Sequence, residues 1–295
     1  MKKAAFISIV GRPNVGKSSI LNRLLGEKIA IVSSKPQTTR TRIMGVLTQG
    51  ELQLVFCDTP GFHRPHNKLG EKMIEAVGES VYGVDACLFV TEAGKEVTGE
   101  EKELLGRLKA AKKPAILAIN KIDLLQERSA LAKNIEELSR EYDFEAVVPV
   151  SAKRNEGMAE LIAEMEKLAE PSEHFFPEDT LTDQPERVLA AEMIREKILR
   201  LLDKEIPHGV AVGIERMSER PGTDLTDIDA VIYCEKESHK GIIIGKHGDM
   251  IKKISTYARQ DMEKFFSCRI NLQCRVKVKE GWRNREALIH SFGLD

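Results

Sequence analysis

The chain has 295 residues, 42% hydrophobic and 31% charged, with 45 Lys and Arg against 46 Asp and Glu, which is material for an ordinary soluble protein of one large domain or two, with two expected. No apolar run approaches the ~18 residues of a membrane-spanning helix, and the five cysteines (Cys57, Cys87, Cys234, Cys268, Cys274) are odd in number and lack C-x-x-C spacing. They read as small core residues in a reducing, cytoplasmic compartment rather than a disulfide framework or metal site.

The opening Met1–Val10 is a short apolar stretch that runs straight into a Gly-rich loop, so it reads as a first strand and not as a signal peptide. From Ala4 to about Leu168, short β-type runs at Phe6–Val10, Leu52–Cys57, Ala86–Val90, Ala115–Ile119 and Val147–Val150 alternate with helical stretches. That alternation predicts an α/β doubly wound sheet of parallel strands. Between Glu170 and Glu186, Pro171, Pro177 and Pro185 lie among polar residues, with Phe175 and Phe176 as the bulky apolar exceptions. This is the expected linker, pinned by the two phenylalanines. Beyond it the pattern predicts a helix over Arg187–Lys204, strands at Val210–Glu215 and Ile228–Glu235, a short helix at Lys240–Ile244, a helix to about Phe266 and a strand at Arg269–Lys279. The expected domains are therefore 1–170, a linker 171–186, a smaller α+β domain 187–285 and a tail 286–295. Charge follows the division: Glu156–Glu205 is acid-rich and Lys236–Arg285 is basic, which directs a search for a polyanion site to the second part.

Gly11-Arg12-Pro13-Asn14-Val15-Gly16-Lys17-Ser18 fits G-x-x-x-x-G-K-[ST], follows a strand and opens a helix through Ser19 toward Leu25. Its backbone N–H groups and the helix N-terminus would surround phosphates, Lys17 would bridge them, and Ser18 would reach Mg²⁺. Asp58-Thr59-Pro60-Gly61 follows the strand Leu52–Cys57, which places Asp58 to hold Mg²⁺ through water and Gly61 to meet a γ-phosphate with its N–H; the same four residues are also good turn chemistry. In the polar stretch Gln37–Thr41, Thr39 is the expected switch residue that completes the metal shell, with Thr38 as the alternative.

Guanine is specified by Asn120-Lys121-Ile122-Asp123 and Ser151-Ala152-Lys153, each after a strand. A carboxylate at Asp123 accepts from guanine N1 and the 2-amino group, which adenine cannot offer, while the Lys121 stem covers the ring. Asn120 would tie this loop to the phosphate loop, and the Ala152 N–H would meet the guanine O6. The expected ligands are GTP and GDP with Mg²⁺. Four motifs in order at strand carboxyl ends leave little room for coincidence.

In the basic part, Gly241-Ile242-Ile243-Ile244-Gly245-Lys246-His247-Gly248 carries a G-x-x-G loop between two helices. Close backbone approach at the glycines, Lys246 and a helix N-terminus favour phosphates; Ile242 and Ile244 line a groove, and His247, Lys252 and Lys253 border it. With the α-β-β-α-α-β order, this predicts a type II KH domain that binds unpaired RNA rather than DNA. His63 and His66 read as exposed switch residues, and Trp282 as an anchor against the domain.

A phosphate loop, D-T-P-G, N-K-x-D and S-A-K followed by a KH domain resembles the Era family within the wider Era, Der and MnmE group of GTPases. The likeness extends through Thr182-Asp-Gln-Pro-Glu-Arg187 and Ile194-Arg-Glu-Lys197. The resemblance implies slow GTP hydrolysis without a side-chain general base, because Phe62 follows Gly61 where other GTPases place a glutamine. It implies a K⁺ site at Asn14, with Lys17, Thr39 and Gly61 serving the reaction. It also implies binding to the 3′ end of small-subunit (16S) ribosomal RNA during 30S assembly, with nucleotide state gating RNA access, and peripheral contact with the inner face of the cell membrane; a monomer is expected.

Overall fold

The computed structural model describes residues 1–35, 37–62, 65 and 67–294, with Arg128 by its backbone alone. Contacts divide the chain into two units. The first comprises Met1–Ala30, Thr39–Pro65 and Gly70–Asp183; the second comprises Gln184–Asp295 together with the segments Ile31–Thr38 and His66–Leu69.

In the first unit, strands β1 (Lys3–Gly11), β2 (Ile43–Gln49), β3 (Leu52–Asp58), β4 (Ala86–Glu92), β5 (Ala115–Asn120) and β6 (Ala146–Pro149) form a sheet in the order β2-β3-β1-β4-β5-β6. Helices α1 (Lys17–Leu25), α2 (Lys68–Tyr82), α3 (Gly99–Ala110), α4 (Arg128–Glu141) and α5 (Met158–Glu166) connect the strands. Strands β3 and β5 are buried at every residue, as expected of strands covered on both faces, and that is why they read as continuous apolar runs. The sheet departs from the parallel expectation at its edge, where β2 runs antiparallel to β3 after a turn at Gly50, whose φ of 60° suits glycine. Among the cysteines, Cys57, Cys87 and Cys234 are buried, Cys268 and Cys274 are half-buried, and all five are free.

The segment expected as a linker belongs with the first unit as far as Asp183. Strand β7 (Glu170–Pro171) pairs antiparallel with β1, the Phe175 ring packs 4.7 Å from that of Phe6, and Thr182 bridges Gly45 of β2. The buried amide of Gln53 holds the stretch between: its oxygen accepts from the Phe175 and Phe176 N–H groups at 2.8 and 3.0 Å, and its nitrogen donates to the Phe176 carbonyl at 2.9 Å.

In the second unit, α6 (Glu186–Leu201), β8 (Ala211–Glu219), β9 (Leu225–Cys234), α7 (Glu237–Ile244), α8 (Asp249–Phe266) and β10 (Arg269–Val278) realise the α-β-β-α-α-β order, with a sheet β10-β9-β8 in which β9 and β10 are parallel. Alternate residues of β9 (Ile228, Ala230, Ile232, Cys234) meet Ile254, Ala258 and Met262, which recur every four residues along α8, and Ala190, Met193, Ile194 and Ile198 of α6. The carboxy-terminal stretch is more than a tail. Trp282 is fully buried and donates its indole N–H to the Gly209 carbonyl at 2.9 Å, while Phe292, just after α9 (Glu286–Ser291), packs on both Trp282 and Tyr233. No helix among the described residues is long and apolar enough to cross a membrane.

Candidate functional site

The carboxyl ends of β1, β3 and β5, with Ser151 just beyond β6, carry the four sequence motifs of the first unit. The phosphate loop turns through left-handed backbone at Asn14 (φ 64°) and Gly16 (φ 103°). Any side chain at Gly16 would place its Cβ 2.2 Å from the Asn120 amide nitrogen, so glycine here permits the contact between two motifs.

Lys17 is buried and its ammonium donates to the carbonyls of Gly11 and Arg12 at 3.1 and 3.0 Å. Burial lowers its pKa to about 8, against the opposing pull of Asp58. Ser18 Oγ–H donates to Asp58 Oδ2 at 2.6 Å, and Thr39 Oγ1 lies 2.9 Å from Ser18 Oγ and 3.5 Å from the same carboxylate oxygen. Burial pushes the Asp58 carboxyl up to about 6, opposed by Lys17 and by these hydrogen bonds. The second oxygen, Asp58 Oδ1, is buried without a hydrogen-bond partner among the described residues. A hard oxygen donor oriented this way, beside two hydroxyls and opposite Lys17, fits a Mg²⁺ with its water shell.

Thr38 turns away from this cluster: its hydroxyl donates to the Lys35 carbonyl at 2.6 Å and lies 2.8 Å from Ser33 Oγ. Of the two threonines left open by the sequence, Thr39 is the one that the fold brings beside Ser18 and Asp58.

Gly61 and Pro60 are buried; a Cβ at Gly61 would stand 2.6 Å from the Pro13 backbone, so the third motif packs directly on the first. Thr59, fully buried, donates to the Ile9 carbonyl at 2.8 Å. Phe62 donates its backbone N–H to the Gly11 carbonyl at 3.1 Å, and its ring is buried in the core with the Arg107 guanidinium 4.7 Å from its centroid. That position offers no acid or base to a reacting water. His63 and His66 lie outside the described residues.

At the base-recognition end, Asn120 donates to the Val15 carbonyl at 2.8 Å and accepts the Ala152 N–H at 3.1 Å. The amide expected to meet a guanine O6 is therefore directed at Asn120 here. Ser151 Oγ–H donates to Asp123 Oδ1 at 2.7 Å and fixes the carboxylate. Lys121 has left-handed backbone (φ 66°) and its ammonium pairs with Glu92 at 2.6 Å, while Lys153 is exposed at the rim.

Three supporting residues escaped the sequence reading. Arg23 of α1 donates to the Ala152 carbonyl at 2.8 Å, Glu92 holds Lys121, and the fully buried Glu101 pairs with Arg12 at 3.1 Å while accepting from Thr91 at 2.7 Å. None sits in a motif; each is defined by neighbours distant in sequence.

In the second unit the G-x-x-G loop passes from α7 through Gly245 (φ 77°), His247 (φ 54°) and Gly248 (φ 83°) into the N-terminus of α8. A Cβ at Gly245 would meet Met250 at 2.7 Å, so the turn into α8 closes tightly here. Ile243 is fully buried; Ile242 is 50% exposed and Ile244 half-buried, and Gly241, Lys246, His247, Lys252 and Lys253 are exposed. An apolar ledge flanked by lysines and backbone N–H groups suits stacked bases with their phosphates.

Residues 6–121 match a family described as 50S ribosome-binding GTPase, and residues 205–283 match the KH domain family. The chain is 50% identical over 295 residues to GTPase Era of Clostridioides difficile (strain 630), covering 100% of this chain and 99% of the relative. The chain belongs to the Era family of GTPases. A second relative, GTPase Era of Ruminiclostridium cellulolyticum, is 47% identical over 291 residues, covering 99% of this chain and 97% of the relative. Among solved structures, a single-residue variant of Aquifex aeolicus Era bound to GDP.AlF4⁻ superposes with a TM-score of 0.95 at 36% identity, covering 99% of both chains. Era in complex with MgGDPNP and nucleotides 1506–1542 of 16S ribosomal RNA superposes with a TM-score of 0.94 at 36% identity, covering 100% of this chain and 99% of that one.

Proposed function

We propose that this protein is a GTP-hydrolysing switch that binds the 3′ end of 16S ribosomal RNA along the Gly241–Lys253 face and serves assembly of the 30S subunit. The observation that carries the reading is its end-to-end likeness to an Era chain whose structure is described as a complex with MgGDPNP and that RNA segment.

Asp123, held by Ser151, accepts from guanine and excludes adenine. The phosphate-loop amides and the N-terminus of α1 take the phosphates, and Lys17 exchanges its carbonyl partners for phosphate oxygens. Ser18 and Thr39 would hold Mg²⁺ directly and Asp58 through water; when bound, the ion neutralises charge on the phosphates. With Phe62 buried, that position has no side chain to orient the attacking water, so hydrolysis is left to positioning and electrostatic stabilisation by the remaining groups and turnover is expected to be slow. Asn14 would supply one oxygen donor to a K⁺, so turnover is expected to be faster in K⁺ than in Na⁺. The nucleotide state gates RNA binding to the extent that the two states differ in RNA affinity. The protein acts as a monomer, with peripheral contact at the inner face of the cell membrane.

The deciding experiment is the affinity for an oligonucleotide matching the 3′ end of 16S ribosomal RNA, with GDP and with a non-hydrolysable GTP analogue, at two salt concentrations. Binding that tightens with the analogue and weakens with salt supports the reading. Equal affinity in both nucleotide states removes the gating, and weak, salt-insensitive binding removes the RNA.

A further inference from the structure

Helix α3 carries none of the nucleotide motifs, yet a carboxylate in its first turn, that of Glu101, is 0% exposed. Ionised side chains are rarely buried unless paired, and the partners here come from three places in the first unit. Glu101 Oε1 accepts the hydroxyl of Thr91, near the end of β4, at 2.7 Å and faces Arg12 Nε of the phosphate loop at 3.1 Å. Glu101 Oε2 accepts the Thr98 N–H at 2.9 Å and the Thr98 hydroxyl at 3.2 Å. The Glu101 N–H donates in turn to Thr98 Oγ1 at 3.3 Å, which closes a capping box on α3.

The cap and the Thr91 bond orient this carboxylate independently of Arg12, so it is a fixed anion against which the phosphate loop can be held. Arg12 Nε is buried and makes no hydrogen bond among the described residues, so charge rather than a directed N–H holds the pair. Arg12 is also where the loop meets Lys17: its carbonyl accepts the Lys17 ammonium at 3.0 Å, beside that of Gly11 at 3.1 Å. A side chain tied to α3 therefore restrains the backbone that turns around the phosphates. A cradle already held in its binding shape loses less conformational freedom when its ligand arrives.

We propose that Glu101 is a positioning residue for nucleotide binding: from α3 it holds Arg12 and so keeps the phosphate loop in the shape that receives the phosphates. This rests on the reading of Gly11–Ser18 as the phosphate site. Positioning and simple charge cancellation predict opposite results. A carboxylate that merely offset the Arg12 charge would, once removed, leave a stronger pull on the phosphates and tighter binding, whereas one that holds the loop would leave weaker binding.

The test uses the full chain and measures affinity for a fluorescent GDP and a fluorescent non-hydrolysable GTP analogue, with kcat and KM for GTP. The variants are Glu101→Gln, Arg12→Met, the two combined, Arg12→Lys, Thr91→Val and Lys17→Ala. Glu101→Gln keeps the shape and loses the charge; it should weaken GDP and the analogue alike by about tenfold, raising KM with kcat within about threefold, as for binding energy common to ground and transition states. Arg12→Met should weaken them by about tenfold as well, and the double variant should be no weaker than the weaker single one, because both changes break one pair. Arg12→Lys should stay within about threefold of wild type, since an ammonium supplies the charge without the guanidinium fork. Thr91→Val removes one bond to the carboxylate and should weaken GDP about threefold, which decides the matter if Glu101→Gln fails to fold. Wild-type affinity in Glu101→Gln overturns the proposal, as does wild-type affinity in Thr91→Val where Glu101→Gln does not fold. Tighter binding in Glu101→Gln overturns it in favour of charge cancellation. Losses that add in the double variant overturn it too, since a merely structural role of Glu101 would not pass through Arg12. Wild-type GDP affinity in Lys17→Ala overturns the reading of the loop and the proposal together.

Discussion

Asp123 is the residue proposed to carry the choice of base, and its surroundings suit that role. One of its oxygens accepts the Ser151 hydroxyl at 2.7 Å, which leaves the carboxylate oriented and able to accept from two neighbouring donors. Guanine presents such a pair, at N1 and the 2-amino group. Exchange of the carboxylate for an amide in Asp123→Asn turns one acceptor into a donor and sets N–H against N–H. The cost is about 3 kcal/mol or more, the range for leaving polar groups unpaired in a recognition site. The variant should bind GDP at least about 100-fold more weakly and should gain affinity for xanthosine diphosphate, whose 2-oxo group accepts what the new amide donates. Titration with the two fluorescent diphosphates checks this; unchanged discrimination would place base recognition elsewhere.

Among the elements, the stretch after α5 is held midway by one buried side chain, between its β7 pairing with β1 and the Thr182–Gly45 bridge. Gln53 lies within β3, is fully buried, and satisfies three backbone groups of Phe175 and Phe176. Gln53→Ala would strand two N–H groups and a carbonyl, at about 2–3 kcal/mol by the usual cost of buried unmet partners. Urea unfolding should show that loss, with proteolysis moving to the residues around Phe175. The elements also mark what a sequence discloses. Strands β3, β4 and β5 are legible because coverage on both faces makes them continuous apolar runs, and the nucleotide loops are legible because their chemistry needs fixed residues at fixed spacing. Strand β2 escaped notice as an edge strand with only part of its length buried, and β7 as a two-residue pairing set by its neighbour. Nothing local in the sequence marks the burial of Arg195, Glu196 and Lys197 on α6. Arg23, Glu92 and Glu101 stayed hidden for the same reason: their partners are defined by the fold.

For the molecule as a whole, the last residues matter to stability more than a tail would. Trp282, Phe292 and Tyr233 form a packed aromatic group on the second unit, anchored by the indole bond to Gly209. Trp282→Ala should destabilise that unit by about 3–5 kcal/mol, the usual range for removing a large buried aromatic. RNA affinity should fall with it, while GDP affinity stays at the wild-type value. A variant that melts normally would show that the stretch is dispensable. The bridge from Thr182 to Gly45, reinforced by the Val46 N–H donating to the Leu181 carbonyl at 2.9 Å, covers part of the outer side of β2. A bare outer strand is a template on which any other extended chain can add itself. A shortened chain ending at Ala169 would keep all four nucleotide motifs and still uncover that template. It should bind GDP normally yet stick to its own kind, so light scattering that grows with concentration and time would be the cost of cutting where the motifs end.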